Sequence, residues 1–119
     1  MLTAAAILLV LLGLAHSVLG ERYILMRLFR RPLPPLFGSD WFTRRTLRFA
    51  WHITSVAWWG FAALLVSDLE TPETTLWIIS GTFFVSGLIS LIAGRGRHFS
   101  WAVFLAIAAL VAFSAQALG

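Results

Sequence analysis

Lysine and cysteine are both missing from this 119-residue sequence, and only five of its residues are acidic. Without cysteine there are no disulfides, no thiolate metal sites and no cysteine nucleophile, and redox chemistry says nothing about the compartment. Charge is scarce as well, at 12% of residues. A soluble domain carries roughly a quarter charged residues, because a small body has much surface to keep wet. Apolar residues make up 60% of the chain, so hydrocarbon rather than water must cover most of the exterior. All nine basic residues are arginines and the formal net charge is +4. These arginines cluster beside apolar runs, a placement that fits topology control and anionic lipid headgroups rather than nucleic acid.

A membrane-spanning helix needs about 20 mostly apolar residues, and four stretches qualify: 2–20, 47–67, 75–93 and 100–118. The first lacks the basic start of a signal peptide and reads as a span. The predicted fold is therefore an all-α membrane protein, a single four-helix transmembrane domain over residues 1–119. The loops set its orientation. The first loop region carries Arg22, Arg27, Arg30, Arg31, Arg44, Arg45 and Arg48. The second carries Asp68, Glu70 and Glu73 and no base, and the third carries Arg95 and Arg97 and no acid. Arginine-rich short loops stay in the cytoplasm. Both termini are thus expected outside it, in a multi-pass protein of a bacterial plasma (inner) membrane.

The first two helices are expected to run beyond the bilayer on the cytoplasmic side. Nothing breaks a helix from Glu21 to Arg31, until Pro32, Pro34 and Pro35 forbid continuation. Ser39 or Asp40 then offers an N-cap for a helix starting at Trp41. Each helix of this extended hairpin would hold about 30 residues and measure about 45 Å, against a hydrocarbon core of about 30 Å. The surplus forms an arginine-studded stub in which Arg27, Arg30, Arg44 and Arg45 are candidates for anionic lipid. Helices three and four form a tighter hairpin closed by Gly94-Arg95-Gly96-Arg97. Small residues on their faces, among them Ser86, Gly87, Ser90, Ala108, Ala112 and Ala115, favour close helix approach there or at an oligomer interface.

Ionisable groups in or beside a bilayer are costly and call for a reason. They are His16, Glu21, His52 and His98. Counted from the ends of the first hairpin, His16 lies roughly 22 Å up the first helix and His52 roughly 16 Å up the second, so the two are within about one turn of a common level. Glu21 and Arg48 form a second layer nearer the cytoplasm, and His98 opens the fourth helix where it can fold over that layer. Ser17 and Glu21 share a face of the first helix, and His52 shares one with Ser55 and Trp59. Gly20 leaves a notch beside His16. Trp41, Trp51, Trp77 and Trp101 read as interfacial anchors, whereas Trp58 and Trp59 lie too deep for that belt.

Paired histidines from two helices are how a membrane bundle grips haem b. His16, Glu21, His52 and His98 also supply the nitrogen and oxygen ligands that zinc or a similar divalent ion accepts. The leading expectation is a protein that binds haem or a metal ion through His16 and His52, with Glu21 and His98 as further metal ligands. The alternatives are a non-enzymatic assembly or regulatory subunit of a larger membrane complex and, third, an oligomeric proton-coupled transporter or channel. No catalytic motif is present, and an enzyme would have to be metal-dependent. Expected partners are membrane lipids, including anionic headgroups, and further copies or subunits, with no nucleic acid. The strings Ala15-His16-Ser17, Gly20-Glu21-Arg22 and Trp51-His52 resemble those of small bacterial membrane proteins. Small multidrug transporters match in length and span number, but they rely on a membrane-embedded carboxylate in the first helix, where this chain has histidine.

Overall fold

Proline and glycine punctuate the apolar runs, and the helices form between these breaks. The computed structural model of the protein describes residues 2–67 and 72–119. It contains four long helices: α1 (Leu2–Leu28), α2 (Trp41–Val66), α3 (Pro72–Ala93) and α4 (Ser100–Leu118), each long and apolar enough to cross a membrane. Among the described residues there is no strand, only an isolated bridge between Leu36 and Ser39. Pro72 opens α3, where its missing N–H costs nothing. The extension of the first hairpin is present: α1 holds 27 residues and α2 holds 26, about 40 Å each. Helix α1 ends three residues short of Arg31, in tighter turns that link Arg30 N–H to the Arg27 carbonyl and Arg31 N–H to the Leu28 carbonyl. Asp68 and Glu70 of the acidic second loop lie outside the described residues.

One feature of α1 was not expected. Its helical bonding widens to a π-helix over Gly20–Leu25 before returning to α at Met26–Leu28. Such wide turns are rare and occur frequently at functional sites. Glu21 stands at the start of this one.

The loop between α1 and α2 is held by Arg44 and Asp40. The Asp40 carboxylate does not cap α2. It accepts instead from the Leu33 N–H at 3.1 Å and from Arg44 Nε at 2.7 Å. The Leu33 N–H, and after it Arg44, hold the Asp40 pKa below its ordinary value of 3.8. Arg44 also donates to the Phe29 carbonyl and, at 2.8 Å, to the Arg31 carbonyl, satisfying acceptors that the end of a helix leaves open. Its guanidinium is thus turned into the protein rather than toward lipid.

Each helix packs on its neighbours in sequence and, among the described residues, on no other: α1 on α2, α2 on α3, α3 on α4. The four form an open row whose Cα atoms extend over 50 × 32 × 15 Å. Large apolar side chains such as Leu8, Ile92, Leu110 and Phe113 face outward, as expected for a surface solvated by hydrocarbon. At the α1–α2 seam Ala6, Gly13 and Gly20 are buried at seven-residue intervals, facing Ser55 and Ala62 at the same interval on α2. A seven-residue repeat keeps one stripe of a helix against its partner over several turns. At the α3–α4 seam the buried residues are Ser80, Ser86, Gly87, Ser90, Ala108 and Ala115, small groups that let the backbones approach.

Candidate functional site

The polar side chains of α1 and α2 meet along their shared seam. Ser17 faces α2 directly. By the roughly 100° turned per helical residue, His16 falls on one flank of the seam with Gly20, and Glu21 on the other. On α2, Trp51 and Trp58 fall on the first flank and His52 on the second. The contacts follow this division.

On the first flank the His16 ring lies flat on the Trp51 indole, with centroids 4.5 Å apart and planes 2° from parallel, and its face meets the Trp58 edge at 4.8 Å. The two residues also exchange hydrogen bonds. Trp51 Nε1–H donates to the His16 carbonyl at 2.8 Å, and His16 Nε2 stands 3.2 Å from the Trp51 carbonyl, which must accept from it. The Gly20 notch is filled by Trp51: a Cβ at that glycine would overlap the indole nitrogen. Gly13 stands in the same relation to Trp59, whose indole donates to the Val10 carbonyl at 3.3 Å. Trp51, expected as an interfacial anchor, is therefore a helix–helix wedge.

On the second flank a continuous chain of hydrogen bonds runs between the helices. Arg48 grips Glu21, with 2.8 Å from its terminal nitrogen to Oε1 and 3.3 Å from Nε to Oε2. Its guanidinium also lies 4.9 Å from the Phe29 ring centroid. Glu21 Oε2 accepts from His52 Nε2 at 3.0 Å, and His52 Nδ1 is 3.0 Å from Ser17 Oγ. Ser17 Oγ is 2.7 Å from Ser55 Oγ, which in turn donates to the Gly13 carbonyl at 2.9 Å. The side chains of Glu21 and His52 are each 30% exposed, open enough to exchange protons, whereas Ser55 is fully buried.

Counting protons along this chain is informative. A carboxylate and a carbonyl only accept, a hydroxyl has one proton to give, and a neutral imidazole has one N–H. With Glu21 ionised and His52 neutral, the imidazole N–H goes to Glu21. Three contacts then remain: His52 to Ser17, Ser17 to Ser55, and Ser55 to the Gly13 carbonyl. Only two hydroxyl protons are available for them. One further proton on the Glu21–His52 pair closes the set. His52 Nδ1–H then donates to Ser17, Ser17 to Ser55 and Ser55 to the carbonyl. The observed geometry is that of the proton-loaded chain.

His98 lies elsewhere. It packs between two rings of α2, stacked 5.4 Å from Phe42 and edge-on 5.0 Å from Phe49. Its Nδ1 accepts from the Ser100 N–H at 3.2 Å and contacts Ser100 Oγ at 2.8 Å, and Ser100 Oγ is 2.5 Å from Ser90 Oγ. Of the residues singled out from sequence, Glu21 and His52 are thus brought together. His16 stands on the opposite flank of the seam and His98 at the mouth of the α3–α4 hairpin. Among the described residues, no three His, Asp or Glu side chains converge to hold a metal ion. Ser17 is the bridge that the sequence reading placed on the right face without assigning it to the site. Gly13, Gly20 and Trp51 were legible as a seven-residue run of small positions opposite tryptophan.

No protein-family model matches the chain, and no curated protein or solved structure matches it. What the fold defines is a class: an all-helical chain with four helices long and apolar enough to span a membrane.

Proposed function

We propose that this is a proton-coupled membrane protein in which the Glu21–His52 pair takes up and returns a proton from the cytoplasmic side. The observation that carries this reading is the proton count: the hydrogen bonds from Glu21 to the Gly13 carbonyl are complete only with one proton more than an ionised Glu21 and a neutral His52 supply. Histidine is the side chain whose ordinary titration falls between about pH 5 and 8. Serine hydroxyls can relay a proton by reversing their direction of donation. Arg48 screens the carboxylate and marks the cytoplasmic mouth, in line with the arginines of the first and third loops. Because the helices form an open row, a path through the membrane needs a second copy against this face, so the working unit is an oligomeric transporter or channel.

A haem b or zinc site built on His16 and His52 receives less support. His52 would have to release Ser17 and Glu21, and His16 would have to leave the Trp51 carbonyl, before one ligand could reach both rings. Elemental analysis and an absorption spectrum of the purified protein separate the two readings. Stoichiometric metal or a Soret band lost in His52→Ala would replace the proton reading.

The direct test uses the full chain, labelled with nitrogen-15 at histidine, in nanodiscs. Raising the pH through the histidine range of about 5 to 8 should strip the proton from His52 Nδ1 in one step, with release of one proton per chain. Proteoliposomes should dissipate an acid jump, and Ser17→Ala and His52→Ala should slow that dissipation to the leak of empty vesicles. A His52 ring that keeps one proton state throughout, with no flux above the leak, defeats the proposal.

A further inference from the structure

A second site lies outside the seam, where the loop before α2 meets the turn before α4. The α1–α2 loop reverses at Phe37 and Gly38, both with positive φ (56° and 89°), and the Leu36 N–H donates to the Ser39 carbonyl at 2.8 Å. Positive φ at two successive central residues is the pattern of a type I′ turn, in which Asn and Gly are the ordinary occupants. A phenylalanine there is strained, and its ring is 83% exposed. Beneath it a hollow of about 130 Å³ is lined by Leu36, Phe37, Ser39, Trp41, Phe42 and Arg97. The Arg97 guanidinium lies 4.8 Å from the Trp41 ring centroid, and Arg45 lies 5.5 Å from the same ring. Among the described residues no carboxylate pairs with Arg45 or Arg97; Asp40, the nearest acid in sequence, is taken by Arg44. Ser39 Oγ accepts from the Trp41 N–H at 3.3 Å, which leaves its own proton to give.

We propose that this hollow binds the phosphate of an anionic phospholipid. Arg97, set by the indole face, presents its fork of N–H donors to the phosphate oxygens. The Ser39 hydroxyl adds a further donor, and Arg45 adds positive charge beyond the ring. The acyl chains lie along the outward rings of Phe37 and of Phe99, itself 81% exposed. This accounts for an aromatic ring held out at a strained position, where water would be a poor neighbour. It also accounts for two arginines left without acids in a chain where Arg44 and Arg48 both have them. The occupant is a lipid rather than free phosphate, because the donors sit at the foot of an apolar wall. The site is independent of the proton pair at Glu21 and His52.

Native mass spectrometry of the full chain released from phosphatidylcholine nanodiscs containing a minority of phosphatidylglycerol tests the assignment. The wild type should retain one phosphatidylglycerol. Arg97→Gln should weaken retention about fivefold, the scale of one arginine at an anionic surface, and Arg45→Gln/Arg97→Gln should weaken it more. Arg97→Lys should keep part of the affinity and reports that the fold survives substitution at this position. Phe37→Ser should weaken lipid retention without creating a charge defect. Arg22→Gln/Arg27→Gln is the control: these guanidiniums both lie 5.7 Å from the Tyr23 ring, but they line no hollow, and their loss should leave the bound lipid in place. Equal losses from the control pair and from Arg97 would make the effect diffuse charge and overturn the proposal. So would wild-type retention by Arg97→Gln. If inorganic phosphate binds in pure phosphatidylcholine discs and displaces phosphatidylglycerol, the site is one for free phosphate and the lipid assignment fails.

Discussion

At the α1–α2 seam His52 reaches Ser17 and Ser55; at the mouth of the α3–α4 hairpin His98 reaches Ser100 and Ser90. The residue types are the same, and the balance of protons is not. His98 Nδ1 accepts from a backbone N–H and lies beside the Ser100 hydroxyl, which can donate to it, and Ser90 can donate to Ser100. Every contact there has its proton while the imidazole is neutral. Two aromatic rings also flank that histidine. In the α1–α2 chain the last acceptor is a carbonyl, the first is a carboxylate, and one proton is wanting unless the histidine–glutamate pair carries it. A histidine is thus made ready for proton exchange by how many donors its neighbours bring, and proximity to serine alone does not do it. The rest of the α3–α4 seam is plainer still, with the Ser80 hydroxyl donating across to the Ala108 carbonyl at 2.8 Å.

The contrast between the seams can be broken most forcefully at the glycines. Gly20→Ala sets a methyl group against the Trp51 indole nitrogen, which has no flexible end to move aside. We expect a loss of about 1–3 kcal/mol, the usual cost of overpacking, measured by unfolding in mixed micelles. Gly81→Ala in α3 meets nothing within 4 Å and should change stability by less than about 0.5 kcal/mol. Gly87→Ala falls between them, since its Cβ would lie 2.8 Å from a terminal methyl of Leu105 that can rotate away. Similar losses at Gly20 and Gly81 would mean that the tryptophan wedge does not hold α1 to α2.

A smaller effect separates the two networks. Ser17→Ala and Ser90→Ala each remove hydroxyl bonds, and each should cost about 0.6–1.7 kcal/mol, the range for interhelical hydrogen bonds in membranes. Only Ser17→Ala should change how stability responds between about pH 5 and 8, because it disconnects His52 from Ser55. An equal change of pH response in Ser90→Ala would remove the distinction drawn between His52 and His98.

The smallest effect expected is at the α1–α2 loop. The pKa of Asp40 is lowered from 3.8, first by the Leu33 N–H and then by Arg44. A carboxyl with a lowered folded-state pKa stabilises the fold above its unfolded-state value, and that contribution is lost as pH falls through the lowered one. The stability difference between the wild type and Asp40→Asn should therefore be constant above about pH 5 and should shrink on further acidification. Amide exchange at Leu33 follows the same clasp. A difference that grows on acidification would be incompatible with a lowered pKa.

The helices themselves were legible in the sequence because their breaks are covalent facts: three prolines after Arg31, Pro72 at the head of α3, and glycines at 94 and 96. The layer of Glu21 and Arg48 and the shared face of Ser17 and Glu21 were also legible, since depth along a helix follows from counting. What counting does not give is azimuth. His16 and His52 are matched in depth, but one residue is about 100° of rotation, enough to put His16 beside Trp51 and leave His52 with Ser17. The role of Arg44 was hidden for a different reason: its partners are backbone carbonyls, which every residue has and no sequence pattern marks. Trp51 reads as an anchor by its position near a span end, and only the notch at Gly20 hinted that its ring belongs between helices.

The wide turn in α1 acts as a phase shift. Gly20 and Leu25 are both buried, yet in an unbroken α-helix five residues carry a side chain about 140° past its starting face. Bonds that span five residues instead of four let Leu25 come back beneath Gly20. The helix therefore carries one residue more than its α frame needs. Below the wide turn every side chain is set by that surplus, including Phe29, over which Arg44 and Arg48 lie at 5.5 and 4.9 Å. Losing any single residue between Gly20 and Leu25 would restore an ordinary helix and swing everything after it by more than a quarter-turn. A stretch whose composition tolerates many substitutions thus tolerates no change in length.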